Sequence, residues 1–205
     1  VTDTIEVNDP GPDDVVVKIT HTGVCHSDVS AMNGTIPTEC PAVLGHEGAG
    51  IIDAVGDNVT EVAVGDHVIV VWSPPCGGCR FCIDHKSPNL CITVQFGSMM
   101  LPHFTEANVP VHAMAGAGTF AEKTLLPKQA VVKIDPDIPL DIASLIGCGV
   151  MTGAGAALNT AKISSQQLGH DAVFNLFDTH NPDWACAFIT ECDGMGTATS
   201  TARHT

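Results

Sequence analysis

Residues 76–91 read CGGCRFCIDHKSPNLC, and this stretch holds four of the nine cysteines of the chain. Thiolates are good zinc ligands, and four of them fill a tetrahedral shell at about 2.3 Å each. Two-residue spacers let a tight loop turn the sulfurs inward, and the two glycines after the first cysteine permit that turn. Because four thiolates leave no position for water or substrate, we predict a structural zinc site. Its ligands would be Cys76, Cys79, Cys82 and Cys91. A pair of disulfides is the alternative, but such frameworks are typical of short, cysteine-dense secreted domains.

The composition predicts a globular chain with one well-packed domain and a small appendage. The 205 residues are 44% hydrophobic and 15% charged, which is a globular composition rather than a disordered one. The net charge is −15, with only eight Lys and Arg, and this disfavours nucleic acid and anionic membranes as partners. No apolar run reaches the roughly 18 residues that span a bilayer. Nine cysteines, four of them at zinc-type spacing, favour a reducing, cytoplasmic setting.

A second set of possible metal ligands is scattered along the chain. Cys25 lies in TGVCHSD, His46 in LGHEGAG and Cys148 in IGCGVMTG. Two sulfurs and one imidazole make a three-ligand shell with an open fourth position, which is the arrangement of catalytic zinc. Each of these ligands has a glycine or another small residue nearby, and small residues allow close backbone packing around an ion.

These motifs together resemble the zinc-dependent medium-chain alcohol dehydrogenases, in the order and nearly at the spacing of that family. The matching stretches are GHEGAG at 45–50, the four-cysteine segment, GDHVIV at 65–70 and GCGVMTGAGAA at 147–157. The run from GTFAE at 118–122 to ALNTAKI at 157–163 is most similar to the nicotinoprotein branch, which keeps its nicotinamide cofactor bound. The resemblance covers roughly residues 1–163.

The resemblance implies a mainly β fold with short helices. Residues 1–163 would form a GroES-like irregular β-barrel, the catalytic domain of the family, with a structural zinc lobe at 74–92. Zinc would be bound twice per subunit, once in the lobe and once at Cys25, His46 and Cys148. The implied reaction is hydride transfer between a primary alcohol or aldehyde and NAD(H), and full-length relatives are expected to be homo-oligomers.

The resemblance also assigns roles to residues beside the metal ligands. Ser27 stands where the family places the hydroxyl that takes the alcohol proton. Asp28 would hold the far ring nitrogen of the ligating histidine, and Glu47 would tune or transiently approach the metal. His26 stands where many relatives have a basic residue on the cofactor phosphate, and Thr152 where the family contacts the nicotinamide.

Hydrophobic runs bounded by Gly, Pro and Asp predict short strands. We expect strands at 15–20, 48–55, 67–72 and 130–134, and helices at 141–147 and 153–163. Several short strands of this kind are typical of a small irregular barrel.

The segment after Ile163 is too short for the doubly wound nucleotide-binding domain of the family. Only 42 residues follow, and one βαβ unit alone takes about 30. Residues 172–177 could be its first strand, but no glycine loop follows, and GMG at 194–196 leaves no room for a phosphate-binding helix. We therefore expect 164–205 to be a truncated or divergent remnant.

Two functions remain open on the sequence. The first is an alcohol dehydrogenase whose activity is impaired by loss of the cofactor domain, so that these 205 residues alone oxidise alcohols negligibly. The second is a non-catalytic truncated zinc-binding module, or an assembly partner of the same family.

Overall fold

Short strands and short helices joined by loops make up the computed structural model of the chain. The structure describes residues 4–160, 188–191 and 199–200. In these ranges the strands are β1 Glu6–Val7, β2 Asp14–Val24, β3 Ala42–Val43, β4 Glu47–Val55, β5 His67–Val70, β6 Phe104–Glu106, β7 Val109–Ala113, β8 Lys123–Pro127, β9 Val131–Lys133, β10 Phe188–Glu191 and β11 Thr199–Ser200. The α-helices there are α1 His26–Met32, α2 Arg80–Ile83, α3 Thr93–Met100, α4 Leu140–Ala143 and α5 Met151–Gly155. Tight 3₁₀ turns lie at Pro88–Leu90, Met114–Gly116 and Lys128–Ala130, and π-helical turns at Ile146–Val150 and Ala156–Thr160.

Strand β2 organises the larger sheet because it pairs along both edges. One edge pairs antiparallel with β4, and the other pairs first with β8 and then with the backbone of β10. Val15, Val17 and Ile19 alternate along β2 and lie in the main core, since successive side chains of a strand point to opposite faces. The strand ends at Val24. It therefore delivers Cys25 at a fixed place beside the core.

Strand β5 packs on both faces. It pairs with β4 and β9. Val68 and Val70 contact the main core, whereas Ile69 packs with Ala49 of β4 and Ala143 of α4. The alternation along one strand thus builds the core on one face and seats the helical segment before Cys148 on the other.

A smaller sheet is built on the hairpin of β6 and β7, with β1 and β3 at its two edges. The two-residue turn consists of Ala107 and Asn108, both with positive φ, which is the geometry that matches the twist of a hairpin. Phe104, Val111 and Ala113 form a separate buried cluster on this sheet.

The chain becomes helical from Leu140, and the hydrogen-bond pattern changes within this segment. After α4, the N–H of Val150 donates to the carbonyl oxygen of Leu145, five residues earlier, at 3.0 Å. Such π turns accommodate an extra residue and are frequent at functional sites. Cys148 lies inside this turn.

The predicted fold class, mainly β with short helices, is confirmed, and each of the four predicted strands overlaps an observed one. The predicted helix at 141–147 is wrong in its extent, because α4 ends at Ala143 and the π turn begins at Ile146. The predicted helix at 153–163 begins earlier, at Met151, and its last residues lie outside the described part of the chain.

Most of the segment predicted to be a remnant, 164–205, also lies outside the described residues, including the candidate strand at 172–177. Its domain assignment therefore stays a prediction. Among the described residues, none of the helices has the length and apolar character needed to cross a membrane.

Candidate metal centres

The four cysteines of residues 76–91 converge, as the spacing predicts. Their sulfur atoms all lie within 4.8 Å of one another. The Sγ of Cys79 is 3.6 Å from that of Cys82 and 3.7 Å from that of Cys91, which is the separation of ligands around a tetrahedral zinc ion. All seven cysteines in the described part of the chain are free thiols. The disulfide alternative therefore has no support in this segment.

Backbone N–H groups surround these thiols. The N–H of Cys76 donates to the Sγ of Cys91 at 3.3 Å, and the N–H groups of Gly78 and Cys79 donate to the Sγ of Cys76. These bonds lower the pKa of Cys91 to about 6 and lower that of Cys76. Burial raises the pKa of Cys82 to about 11. The loop thus stabilises part of the negative charge that four thiolates would carry on binding zinc.

The second set of predicted ligands forms a separate thiol–imidazole cluster, consisting of Cys25, His46 and Cys148. Their ligand atoms and a carboxylate oxygen of Glu47 all lie within 4.8 Å of one another. The strand β2, the turn before β4 and the π turn each deliver one ligand. Residues distant in the sequence are therefore brought to one place, as predicted.

Asp28 ties two of these segments together and orients the imidazole. Its carboxylate accepts the N–H of Cys25 at 2.9 Å and the N–H of Gly45 at 3.0 Å. One of its oxygens also lies 3.3 Å from Nδ1 of His46, and both side chains are buried. This contact leaves Nε2 of His46 as the ring nitrogen available to a metal, which is the usual arrangement of a carboxylate behind a ligating histidine.

The charge in the thiol–imidazole cluster is unevenly distributed. The hydrogen bond with Cys148 lowers the pKa of Cys25 to about 3, although burial opposes this shift. The same contact raises the pKa of Cys148 well above its ordinary range. Burial acts to lower the pKa of His46, but its contacts with Asp28 and Cys25 outweigh burial and raise it to about 10. The site therefore stabilises a thiolate, the form in which cysteine binds a metal.

Glu47 adds a buried carboxylate to the same place. Burial and the nearby charge of Cys25 raise the pKa of Glu47 to about 7. Its Oε2 is buried without a hydrogen-bond partner, and a buried polar atom of this kind needs an explanation. A zinc ion beside two thiols and an imidazole would supply one, so the donor set fits the metal that the sequence predicts.

The remaining predicted site residues lie around this cluster but are not part of it. The Oγ of Ser27 is 3.6 Å from the Sγ of Cys25. His26 is exposed at the start of α1, with Nδ1 3.4 Å from the hydroxyl of Ser30. Thr152 is exposed on α5. Their roles toward substrate and cofactor stay predictions.

Sequence reasoning missed a glycine that makes room for the carboxylate. A Cβ at Gly23 would lie 2.4 Å from Oε2 of Glu47 and 3.1 Å from the side chain of Leu145. An isolated glycine inside a strand often marks such a close approach. Its position two residues before Cys25 was the signal that could have identified it.

We expect Gly147→Ala to weaken both the fold and the metal site. A Cβ at this position would lie 2.1 Å from the carbonyl oxygen of Val70, and a backbone atom cannot rotate aside. Overpacking of this kind destabilises the fold by about 1–3 kcal/mol, which lowers the melting temperature by roughly 2–12 °C in a chain of this size. Because Cys148 follows directly, metal affinity should fall as well. Thermal melts and metal titration measure the two effects.

Gly155→Ala is the matched control for this prediction. The nearest atom to a Cβ at Gly155 would be 3.9 Å away, on Asn159, and alanine is the better helix former by about 1 kcal/mol. We expect this variant to be as stable as the wild type or slightly more stable. Equal melting temperatures for the two variants would show that the close approach at Gly147 is not important.

Comparison with known proteins places these features in a family. The β-rich fold carries two different sets of possible metal ligands. One has four thiols and no free coordination position, and the other has two thiols and an imidazole and leaves one position free. The family model described as the alcohol dehydrogenase GroES-like domain matches residues 11–136. The chain belongs to this family, and the resemblance seen in its motifs is thereby confirmed.

Curated relatives and solved structures agree with this assignment. The chain is 44% identical over 167 residues to S-(hydroxymethyl)glutathione dehydrogenase of Saccharomyces cerevisiae, covering 78% of this chain and 43% of the relative. It is 42% identical over 166 residues to the enzyme of that name from Escherichia coli O1:K1 / APEC, covering 78% and 45%. The chain thus spans less than half the length of these relatives.

Two crystal structures have the same fold. An alcohol dehydrogenase zinc-binding domain protein from Burkholderia ambifaria is 34% identical with a TM-score of 0.68, covering 77% of this chain and 44% of that one. Benzyl alcohol dehydrogenase from Acinetobacter calcoaceticus is 35% identical with a TM-score of 0.64, covering 78% and 44%.

Proposed function

We propose that the chain is the metal-binding part of a zinc-dependent alcohol dehydrogenase. The observation that carries this proposal is the convergence of Cys25, His46 and Cys148, with their ligand atoms and a carboxylate oxygen of Glu47 within 4.8 Å of one another. Three protein ligands are the number that catalytic zinc sites use. The chain spans less than half the length of its curated relatives. The enzymatic activity of the whole protein is therefore proposed together with the metal site.

The proposed reaction oxidises a primary alcohol to an aldehyde, or the reverse. In the oxidation, the alcohol loses a proton from its oxygen and a hydride from its carbon, and the hydride adds to the oxidised nicotinamide. Zinc, when bound, supplies Lewis acidity toward the substrate oxygen. We assign to the hydroxyl of Ser27, which lies 3.6 Å from the Sγ of Cys25, the transfer of that proton: its Oγ accepts the proton of the alcohol while its own proton passes to water.

The other side chains hold this arrangement in place. Asp28 fixes the ring of His46 and accepts the N–H that precedes the first thiol. We assign to Glu47, whose carboxylate oxygen lies within 4.8 Å of the three ligand atoms, the role of tuning or transiently approaching the metal. We assign contacts with the nicotinamide cofactor to His26 and Thr152, which are both exposed and so available to a ligand.

The substrate class in this proposal is a small primary alcohol or its aldehyde. The ring of Trp72 stands edge-on to that of His46, with centroids 6.3 Å apart, so an aromatic wall lies next to the metal ligands. Trp72 also packs against the main core. Two of the similar proteins are named for benzyl alcohol and for S-(hydroxymethyl)glutathione. We therefore propose that the primary alcohol bound at this site carries an aromatic ring, as benzyl alcohol does.

The thiol ligands require reducing surroundings, and we propose a cytoplasmic location on this ground. We also propose that the protein assembles as a homo-oligomer and that it binds neither nucleic acid nor membranes. Size-exclusion chromatography of the zinc-loaded chain measures the assembly.

We expect two zinc ions per chain in metal-replete protein. The two clusters contain seven thiol and imidazole ligands, four in one set and three in the other. His46→Ala removes one ligand from the set of three. Elemental analysis should give two zinc ions for the wild type and one for this variant. Cys40→Ser is the control, because Cys40 is exposed and lies in neither cluster, and it should keep two. One zinc ion or none in the wild type would overturn the proposed metal chemistry.

The alcohol chemistry is tested with Co²⁺ in place of zinc, since Co²⁺ has visible absorption that is sensitive to its ligands. We expect benzyl alcohol or benzaldehyde to change the spectrum of the wild type. It should leave that of His46→Ala unchanged, since that variant keeps only the four-cysteine site. A wild-type spectrum that no alcohol or aldehyde alters would count against the proposed substrate class.

A further inference from the structure

We propose that Thr119 is a positioning residue for the thiol–imidazole cluster. It ties the strand that delivers Cys25 to the turn that delivers His46. The inference rests on the proposed metal centre and adds to it a residue that touches none of the ligand atoms in the described contacts.

The first link is a hydrogen bond between two buried hydroxyls. The Oγ of Thr119 lies 2.8 Å from the Oγ of Thr22, and the two residues are 0% and 1% exposed. Thr22 lies on β2, three residues before Cys25. A fully buried hydrogen bond of this kind is costly to disrupt, so the position of the end of β2 depends on Thr119.

The second link is backbone pairing with the turn that precedes the imidazole ligand. The N–H of Thr119 donates to the carbonyl oxygen of Gly45 at 3.0 Å, and the N–H of Phe120 donates to that of Leu44 at 2.9 Å. Gly45 has a φ of +91°, a conformation in which only glycine is unstrained. The N–H of the same glycine donates to Asp28. The peptide groups before His46 are therefore held from both sides.

The third link is packing of the threonine side chain against two glycines. A Cβ at Gly45 would lie 2.5 Å from the Oγ of Thr119, and a Cβ at Gly48 would lie 2.7 Å from its Cγ2. These glycines flank His46 and Glu47. The threonine side chain thus occupies the space that both glycines leave, and it cannot shift without moving the turn.

The three links act on the two segments that carry Cys25 and His46. A metal ion is bound tightly only if its ligands are held in the geometry that the metal requires. Loss of the residues that orient the ligands typically weakens metal binding by about 10–100-fold. Thr119 therefore contributes to metal affinity through the geometry of the cluster, in addition to any contribution to stability.

Titration of the full 205-residue chain with Co²⁺ tests this inference. The spectrum of His46→Ala is subtracted to remove the contribution of the four-cysteine site. Thr119→Val keeps the shape of the side chain but lacks the hydroxyl. We expect it to bind Co²⁺ in the thiol–imidazole cluster about 10-fold more weakly, with shifted visible bands. Thr119→Ser keeps the hydroxyl but loses the Cγ2 that packs against Gly48, and its bands should lie closer to those of the wild type than the bands of Thr119→Val do.

Thr124→Val is the control for a merely structural effect. Thr124 is also fully buried, and its hydroxyl donates to the carbonyl oxygen of Ala117 rather than to Thr22 or to the turn before His46. We expect both valine variants to melt at lower temperature, but only Thr119→Val to change the bands. If the two valine variants bind Co²⁺ equally, or if the bands of Thr119→Ser are no closer to the wild type than those of Thr119→Val, the positioning role is overturned. If the wild type binds no more Co²⁺ than His46→Ala, the proposed metal centre itself fails.

Discussion

Cys82→Ser is expected to lower the melting temperature of the zinc-loaded chain by roughly 10–15 °C. A metal present at about a thousand times its dissociation constant stabilises the folded state by about 4 kcal/mol, and each kcal/mol corresponds to about 2–4 °C in a chain of this size. Loss of one of four thiolates removes that stabilisation. Differential scanning calorimetry with and without a chelator measures it.

We expect a large effect because residues 74–92, the predicted zinc lobe, have little core of their own. Within it α2 is only four residues long. Ile83 and Leu90 are 58% and 53% exposed, whereas Cys91 is 1% exposed. With so few apolar side chains buried, we expect bound zinc to be the main source of stability in this segment.

Cys25→Ser is the comparison that tests the division of roles. It should lose the metal of the thiol–imidazole cluster but melt closer to the wild type, because β2 is held by the main core and the helical segment packs against Ala49 and Ile69. Cys40→Ser should melt within about 2 °C of the wild type, as surface substitutions do. Equal melting temperatures for Cys25→Ser and Cys82→Ser would contradict the separation into a structural and a catalytic site.

Asp28→Ala is expected to lower the free energy of unfolding by about 3 kcal/mol or more and to weaken metal binding about 10–100-fold. The residue is 2% exposed, and its carboxylate accepts two backbone N–H groups. Hydrogen bonds to a charged group are worth about 1.5–3 kcal/mol each. Loss of the contact with His46 frees the imidazole ring, which accounts for the weaker metal binding. Chemical denaturation and metal titration measure the two quantities.

Two variants bracket this prediction. Asp28→Asn keeps the shape and one acceptor oxygen, so both losses should be smaller than for alanine. Asp53→Ala removes an exposed carboxylate that lies 2.7 Å from Lys123, and an exposed ion pair of this kind contributes about 0–1 kcal/mol. It should leave metal binding unchanged. If Asp28→Ala behaves like Asp53→Ala, the buried carboxylate does not organise the cluster.

The metal clusters were the most predictable part of the molecule. The spacing of Cys76, Cys79, Cys82 and Cys91 predicts their convergence directly, since the intervening loops are short. Cys25, His46 and Cys148 could be grouped only through the resemblance to a family, because no local spacing relates positions so far apart. The strand predicted at 15–20 from its run of valines lies within β2, which extends further at its carboxyl end, to Val24.

Other elements gave weak signals for physical reasons. Strand β7 contains Pro110, which cannot donate to a ladder and argues against a strand. Helix α3 contains Gly97 and no charged residue, so its helix propensity is low. The π turn that holds Cys148 has a hydrogen-bond register that a search for 3.6-residue periodicity does not detect. Thr119 was seen only as one letter of a motif, since its role depends on contacts across the fold.

The two ligand sets differ in how far along the chain their members lie, and this affects the order in which they can form during synthesis. The lobe is complete once Cys91 has left the ribosome, and closing so short a loop costs little entropy. The thiol–imidazole cluster can form only after Cys148 has been synthesised and β2 has paired with β4. Such non-local contacts form slowly. We therefore expect a nascent chain to bind zinc at the four cysteines early, and to bind a second ion only after the strands that carry the other ligands have paired.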